Sequence, residues 1–135
     1  MTALLIVDDD EDFAGSLRMM LQSRGYDVDM ERDTSRILDR LDQRLPDALI
    51  LDVMFPEDPF AGFDLARAVR GQFPSLPILM LTGVRQHFAL ESVEGRDPAR
   101  LPVTDFLEKP VDFGEFCTKL DRLLGRPTIH AERQP

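Results

Sequence analysis

Three stretches of the sequence end an apolar run on a residue that can carry or receive charge, and Lys109 lies just past a fourth, more polar one. Leu4-Leu5-Ile6-Val7 runs into Asp8 and Asp9, Leu49-Ile50-Leu51 into Asp52, Ile78-Leu79-Met80-Leu81 into Thr82, and Phe106-Leu107-Glu108 into Lys109. If these ends meet, three carboxylates, a hydroxyl and an ammonium share one cleft. Two unit charges about 4 Å apart repel by about 1 kcal/mol in water and about 4 kcal/mol at an effective dielectric near 20. Three carboxylates therefore need a cation. The set offers hard oxygens and neither His nor Cys, which suits Mg²⁺ better than Zn²⁺. With a divalent ion on one side and a hydroxyl and an ammonium opposite, the charge of a phosphoryl group is balanced on several oxygens at once. In such a site Asp52 is a carboxylate nucleophile that forms an acyl phosphate.

Short apolar runs alternate with amphipathic stretches along most of the chain, the pattern of strands and helices laid in turn around a parallel sheet. Strands are predicted at residues 3–7, 26–30, 48–51, 78–81 and 105–107. The first, third and fourth are near-continuous apolar runs, as central strands covered on both faces are; the second and fifth are more polar, as edges are. Phe13, Leu17, Met20 and Leu21 form one helical stripe that Gly25 ends. Ile37, Leu38, Leu41 and Leu45 form a second, stopped by Pro46, and a third helix spans 62–73, before Pro74. A last helix carries Phe113, Phe116, Leu120, Leu123 and Leu124, with Asp112 as N-cap, Glu115 as its capping-box partner and Gly125 at its end. Gly95, Pro98 and Pro102 leave room for only a short helix around 86–93. Residues 1–125 read as one domain and 126–135 as a short flexible tail. Open parallel sheets bind ligands at the carboxyl ends of their strands. In a flavodoxin-like order, 2-1-3-4-5, strands one, three, four and five bring Asp8, Asp9, Asp52, Thr82 and Lys109 together there.

A chain of 135 residues with 43% hydrophobic content can bury one sizeable core. It has no apolar run near the roughly 20 residues of a membrane span, and no signal-peptide order at its N-terminus, so a soluble cytoplasmic protein without membrane partners is expected. Twenty-five acidic against sixteen basic residues give a formal charge of −9, which argues against direct nucleic-acid binding. The lone Cys117, beside Phe116 in an apolar stripe, reads as core.

The order VDDDED, LILDVMFP, MLTG and FLEKP closely resembles the receiver domain of two-component response regulators, over nearly all of residues 3–124. The resemblance implies a five-stranded parallel sheet flanked by five helices, with Asp52 accepting phosphate from a sensor histidine kinase or phosphotransfer protein. It implies that Asp8 and Asp9, with Asp52, hold Mg²⁺, that Thr82 contacts the phosphoryl group and that Lys109 pairs with it. It further implies a cis Lys109–Pro110 bond and a switch aromatic at Phe106, which moves with Thr82 on activation. The expected function is a phosphorylation-activated switch that modifies only itself and acts on an unidentified downstream protein, not a turnover enzyme. A degenerate receiver serving only as a binding module is the alternative. A haloacid-dehalogenase-like hydrolase would need an acidic residue where Met54 stands.

The chain departs from the family's pattern in two loops. The connection VMFPEDPFAG after Asp52 is long and adds Glu57 and Asp58, read as a solvated acidic loop; the interval from Thr82 to Lys109 is also long. Met54 and Val84 cannot align a water for attack, so a long-lived phosphoryl group is expected. His87 and His130 read as loop and tail residues, and Arg67 and Arg70 as a wet helix face. Asp10 to Asp12 read as a helix start, where negative charge meets the positive end of the dipole.

Overall fold

The computed structural model describes residues 2–52, 61–83 and 103–125. β1 (Ala3–Asp8) is followed by α1 (Glu11–Ser23), β2 (Asp27–Glu31), a 3₁₀ turn (Thr34–Arg36), α2 (Ile37–Gln43), β3 (Ala48–Asp52), α3 (Ala61–Gln72), β4 (Ile78–Thr82), β5 (Asp105–Glu108) and α4 (Phe113–Leu123). The strands form one parallel sheet in the order β2-β1-β3-β4-β5, the flavodoxin-like order predicted.

Alternation along the strands divides the core between two faces. On one, Leu4, Ile6, Ala48, Ile50, Leu79 and Leu81 meet Leu17 and Leu21 of α1 and Phe116 and Leu120 of α4. On the other, Leu5, Val7, Leu49, Leu51, Ile78 and Met80 meet Ile37 and Leu41 of α2 and Ala66 and Val69 of α3. β1, β3 and β4 are thus covered on both sides, which is why their sequences are apolar without alternation.

Local signals set the helix ends. Asp10 caps α1, accepting from the N–H groups of Asp12 at 3.1 Å and Phe13 at 3.3 Å. Gly25, at φ 93°, closes the helix: its N–H donates to the Gln22 carbonyl and that of Tyr26 to the Leu21 carbonyl. Asp112 caps α4 through Gly114 N–H at 3.2 Å, in place of the reciprocal box with Glu115.

The observed elements depart from the predicted ones in a few places. β1, β3, β4 and β5 each run one residue further, and β2 begins after Tyr26. Pro46 disfavours helical backbone at Leu45, so α2 stops at Gln43, Arg44 is extended and Leu45 leaves the stripe, 54% exposed. Phe113, in the first turn of α4, is likewise 43% exposed rather than core. Arg70 is not simply wet: it donates to the carbonyls of Pro74 and Leu76 and to Thr104 Oγ1, tying α3 to the approaches of β4 and β5. Arg67 pairs with Asp64 on the surface. Cys117 is half-buried against the α1–α4 core, where burial pushes its thiol up. No helix among the described residues is long and apolar enough to cross a membrane.

Candidate functional site at the carboxyl edge of the sheet

The extra residue on each strand puts the candidate side chains inside the ladder instead of in the loops beyond it. Asp8 and Asp52 are register partners on adjacent central strands, and Thr82 pairs with Glu108. Asp8 is 2% exposed, and Asp52 and Thr82 are fully buried. Alternation turns Asp8 and Asp52 toward the α1–α4 side, with Leu4, Ile6 and Ile50, and Thr82 toward the α2–α3 side, with Ile78 and Met80.

Lys109 follows β5 and is anchored by its backbone, whose N–H donates to the Thr82 carbonyl at 2.7 Å. Its Nζ lies 2.7 Å from Asp52 Oδ2 and 4.6 Å from the centre of the Phe13 ring. The Lys109–Pro110 bond is cis, as the resemblance implies. Asp8 Oδ1 accepts from Asp10 N–H at 2.8 Å. Asp8 Oδ2 and both oxygens of Asp52 are buried without a hydrogen-bond partner, and Asp52 Oδ2 is met only by the Lys109 ammonium as an ion pair.

Two carboxylates and one ammonium leave a surplus negative charge in a buried space. Burial first, and the neighbouring Asp52 second, push the Asp8 carboxyl up to about 7 against the lowering effects of Asp10 N–H and Lys109. Unpartnered buried carboxylate oxygens with surplus negative charge fit a hard divalent cation, and Mg²⁺ retains several of its own waters, so two protein carboxylates can suffice. Asp9 is exposed, and among the described residues no three His, Cys, Asp or Glu side chains gather as a metal set. The structure therefore brings Asp8, Asp52 and Lys109 together, and Asp9, next to Asp8 in the chain, is exposed.

Thr82 Oγ1 donates to the Leu107 carbonyl at 3.4 Å, tying the hydroxyl to β5. Phe106 is half-buried against the α2–α3 core, the side that Thr82 faces. Lys119 of α4 donates to the Phe106 carbonyl at 2.8 Å and to Asp105 at 3.3 Å. The sequence reading missed Lys119, and it placed Phe13 only in a core stripe. The available signal was an aromatic residue in the first turn of α1, at the sheet edge where charge collects. Met54, Glu57, Asp58, Val84, His87, His130, the helix around 86–93 and the tail 126–135 lie outside the described residues.

An open parallel α/β sheet in the order 2-1-3-4-5, with buried acids and a lysine at the carboxyl edge where such sheets bind ligands, defines the class of flavodoxin-like folds. Within that class the chain belongs to the response regulator receiver domain family, whose model matches residues 4–121. It is 37% identical over 123 residues to the response regulator MprA of Mycobacterium tuberculosis, covering 91% of this chain and 50% of that protein. A similar match, 36% over 125 residues, joins it to MprA of Mycolicibacterium vanbaalenii, with 93% and 51% covered. The chain thus spans about half the length of these curated relatives. Among solved structures, a putative response regulator from Chloroflexus aurantiacus superposes with a TM-score of 0.75 at 33% identity, over 93% of this chain and 98% of that one. The signal receiver domain of a histidine kinase from Syntrophus aciditrophicus gives 0.75 at 26%, over 93% and 91%. Receiver domains of response regulators are phosphorylated by histidine kinases and generally bind Mg²⁺.

Proposed function

We propose that Asp52 is the phosphoacceptor of an active phosphorylation switch. The observation that carries this reading is a fully buried carboxylate whose Oδ2 faces the Lys109 ammonium at 2.7 Å while its Oδ1 has no partner. Oδ1 is then the oxygen free to attack. It forms a bond to the phosphorus of a kinase or phosphotransfer phosphohistidine as the P–N bond breaks; the imidazole leaves with that electron pair and takes up a proton. Lys109 follows the charge that passes from Asp52 to the phosphoryl oxygens. Mg²⁺, which Asp8, Asp9 and Asp52 would hold, would supply further charge compensation to those oxygens.

The switch follows from what Thr82 gives up. Its hydroxyl exchanges the Leu107 carbonyl for a phosphoryl oxygen, and Phe106, on the same side of the sheet, repacks with it. Such a device works by population shift, so the phosphoryl group must bind the active arrangement better than the resting one. The Thr82 hydrogen bond and the Lys109 ion pair are the differential contacts.

Incubation with acetyl phosphate and Mg²⁺, followed by intact mass measurement, tests the reading. The expected result is a labile phosphoryl adduct that is absent in Asp52→Asn and without metal. No adduct with any phosphodonor would favour a phosphorylation-independent binding module. Steady release of phosphate would favour a hydrolase.

A further inference from the structure

The stripe that docks α1 on the sheet is aliphatic where it is deepest: Leu17 and Leu21 are fully buried. Phe13, one turn nearer the carboxyl edge, is only half-buried against the same core, and its ring centre lies 4.6 Å from Lys109 Nζ. That is within the distance at which a ring face attracts a cation. The same ammonium is 2.7 Å from Asp52 Oδ2, so it bridges the aromatic ring and the buried carboxylate.

We propose that Phe13 is a positioning residue of the phosphoryl-transfer site, its ring holding the Lys109 ammonium on Asp52. The inference rests on Asp52 being the phosphoacceptor. Its physical basis is the cost of bringing an ammonium to an apolar helix. A leucine here would fill the space and strip water from Lys109 without electrostatic return, whereas a ring excludes the same water and offers the negative face of its quadrupole. Lysine is also a flexible point charge on a four-carbon stem, so a second attachment restricts where it can sit. The backbone that carries the ring is fixed at the helix start, because Phe13 N–H donates to the N-cap Asp10 at 3.3 Å. The cap that starts α1 therefore also fixes the point from which the ring extends.

Phe13→Leu and Phe13→Tyr separate the ring from the volume, with Met20→Ala, in the same stripe, as the control for weakened α1 packing. Two readouts are needed: the rate of adduct formation with acetyl phosphate and Mg²⁺, and the NMR shifts and order of the Lys109 ε-methylene in the unphosphorylated protein. Phe13→Leu should slow adduct formation roughly fivefold, the usual weight of a partly buried cation–ring contact. It should also abolish the upfield ring shift at Lys109 and loosen its methylene. Phe13→Tyr and Met20→Ala should keep both within about twofold, on the same scale of effect. An unchanged rate in Phe13→Leu, or an equal loss in Met20→Ala, overturns the proposal. If the wild-type protein takes up no phosphoryl group, the phosphoacceptor reading fails, and the NMR arm still decides the ring's role. Loosening of Lys109 in Phe13→Leu but not in Phe13→Tyr upholds it; no loosening overturns it.

Discussion

Two regions of this domain handle charge in opposite ways. At the carboxyl edge, Asp8 and Asp52 are buried side by side with one lysine between two carboxylates, and three of their oxygens lack a hydrogen-bond partner. Along the edge strand, Asp27, Asp29 and Glu31 face the side on which α2 lies, and arginines in and beside that helix answer them in sequence. Arg44 reaches Asp27 at 2.8 Å and Asp29 at 3.9 Å, and Arg40 reaches Asp29 at 3.9 Å and Glu31 at 3.1 Å. Arg36 lies one turn further along, near Glu31. Arg40 within α2 and Arg44 just past its end thus bridge the three acids, which lie two apart on the strand. The seam is a closed account of charge that needs nothing more. The site is an open one, and only an added cation or phosphoryl chemistry closes it.

This contrast predicts opposite pH responses, and the larger belongs to the site. The Asp8 carboxyl is raised from 3.8 to about 7, so between those values the folded state binds more protons than the unfolded chain. Stability must then fall as pH rises through that window, and the full cost stands above it. A shift of this size corresponds to about 4 kcal/mol. Without divalent metal, Asp8→Asn should gain up to that amount at pH 8 and almost nothing at pH 4, measured by urea unfolding. Asparagine keeps an acceptor for Asp10 N–H, so the gain isolates the charge. Saturating Mg²⁺ should stabilise the wild type and leave Asp8→Asn nearly unmoved.

A smaller effect follows from removing the cation instead of the acid. Lys109→Met keeps the stem against Phe13 but leaves Asp52 without its ion-pair partner. The loss should be about 2 kcal/mol at pH 8, below the several kcal/mol of a wholly buried pair. The discount reflects the Lys109 side chain, which is 25% exposed. In the Lys109→Met background Asp8→Asn should gain more than it does in the wild type in unfolding measurements, because Asp8 and Asp52 then lack their shared ammonium. Strict additivity of the two changes would mean that the three groups do not act as one cluster.

How much of this was visible beforehand depends on the range over which the signal acts. The strands of the central sheet were legible because burial on both faces leaves an apolar run that few other elements produce. The helix start at Asp10 to Asp12, the cap at Asp112 and the stop at Gly25 were legible because they act over a few residues. Asp8, Asp52 and Thr82 could be named because each ends such a run, and Lys109 because it lies just past a more polar one. The different exposure of Asp8 and Asp9 was not legible, since it follows from where the strand ends. Nor were Phe13 and Lys119, whose partners lie across the fold and leave no periodic trace. The acids of β2 looked like an ordinary polar edge until α2 was docked against them, because only the tertiary pairing sets arginine opposite carboxylate.

The smallest expected effect tests the closed side of the comparison. Glu31 is nearly buried, and its carboxyl is held below its usual 4.5, first by Asp33 N–H and then by Arg40. Its stabilising contribution is therefore complete above the unfolded value and is lost as pH falls through the folded one, on the acid limb and opposite in sign to Asp8. Arg40→Gln removes the contacts to Asp29 and Glu31 but leaves the bond from Asp33 N–H to Glu31 at 3.0 Å. Because the Arg40 side chain is 37% exposed, the expected loss is only about 0.5–1 kcal/mol at pH 7, and it should shrink in acid as Glu31 is protonated. It should also shrink in about 0.5 M salt, where the Debye length falls to a few ångströms. The Asp8→Asn gain, set inside the sheet, should survive that salt largely intact. If salt removes both effects equally, the carboxyl edge is as open to solvent as the seam, and the two regions differ in pairing alone.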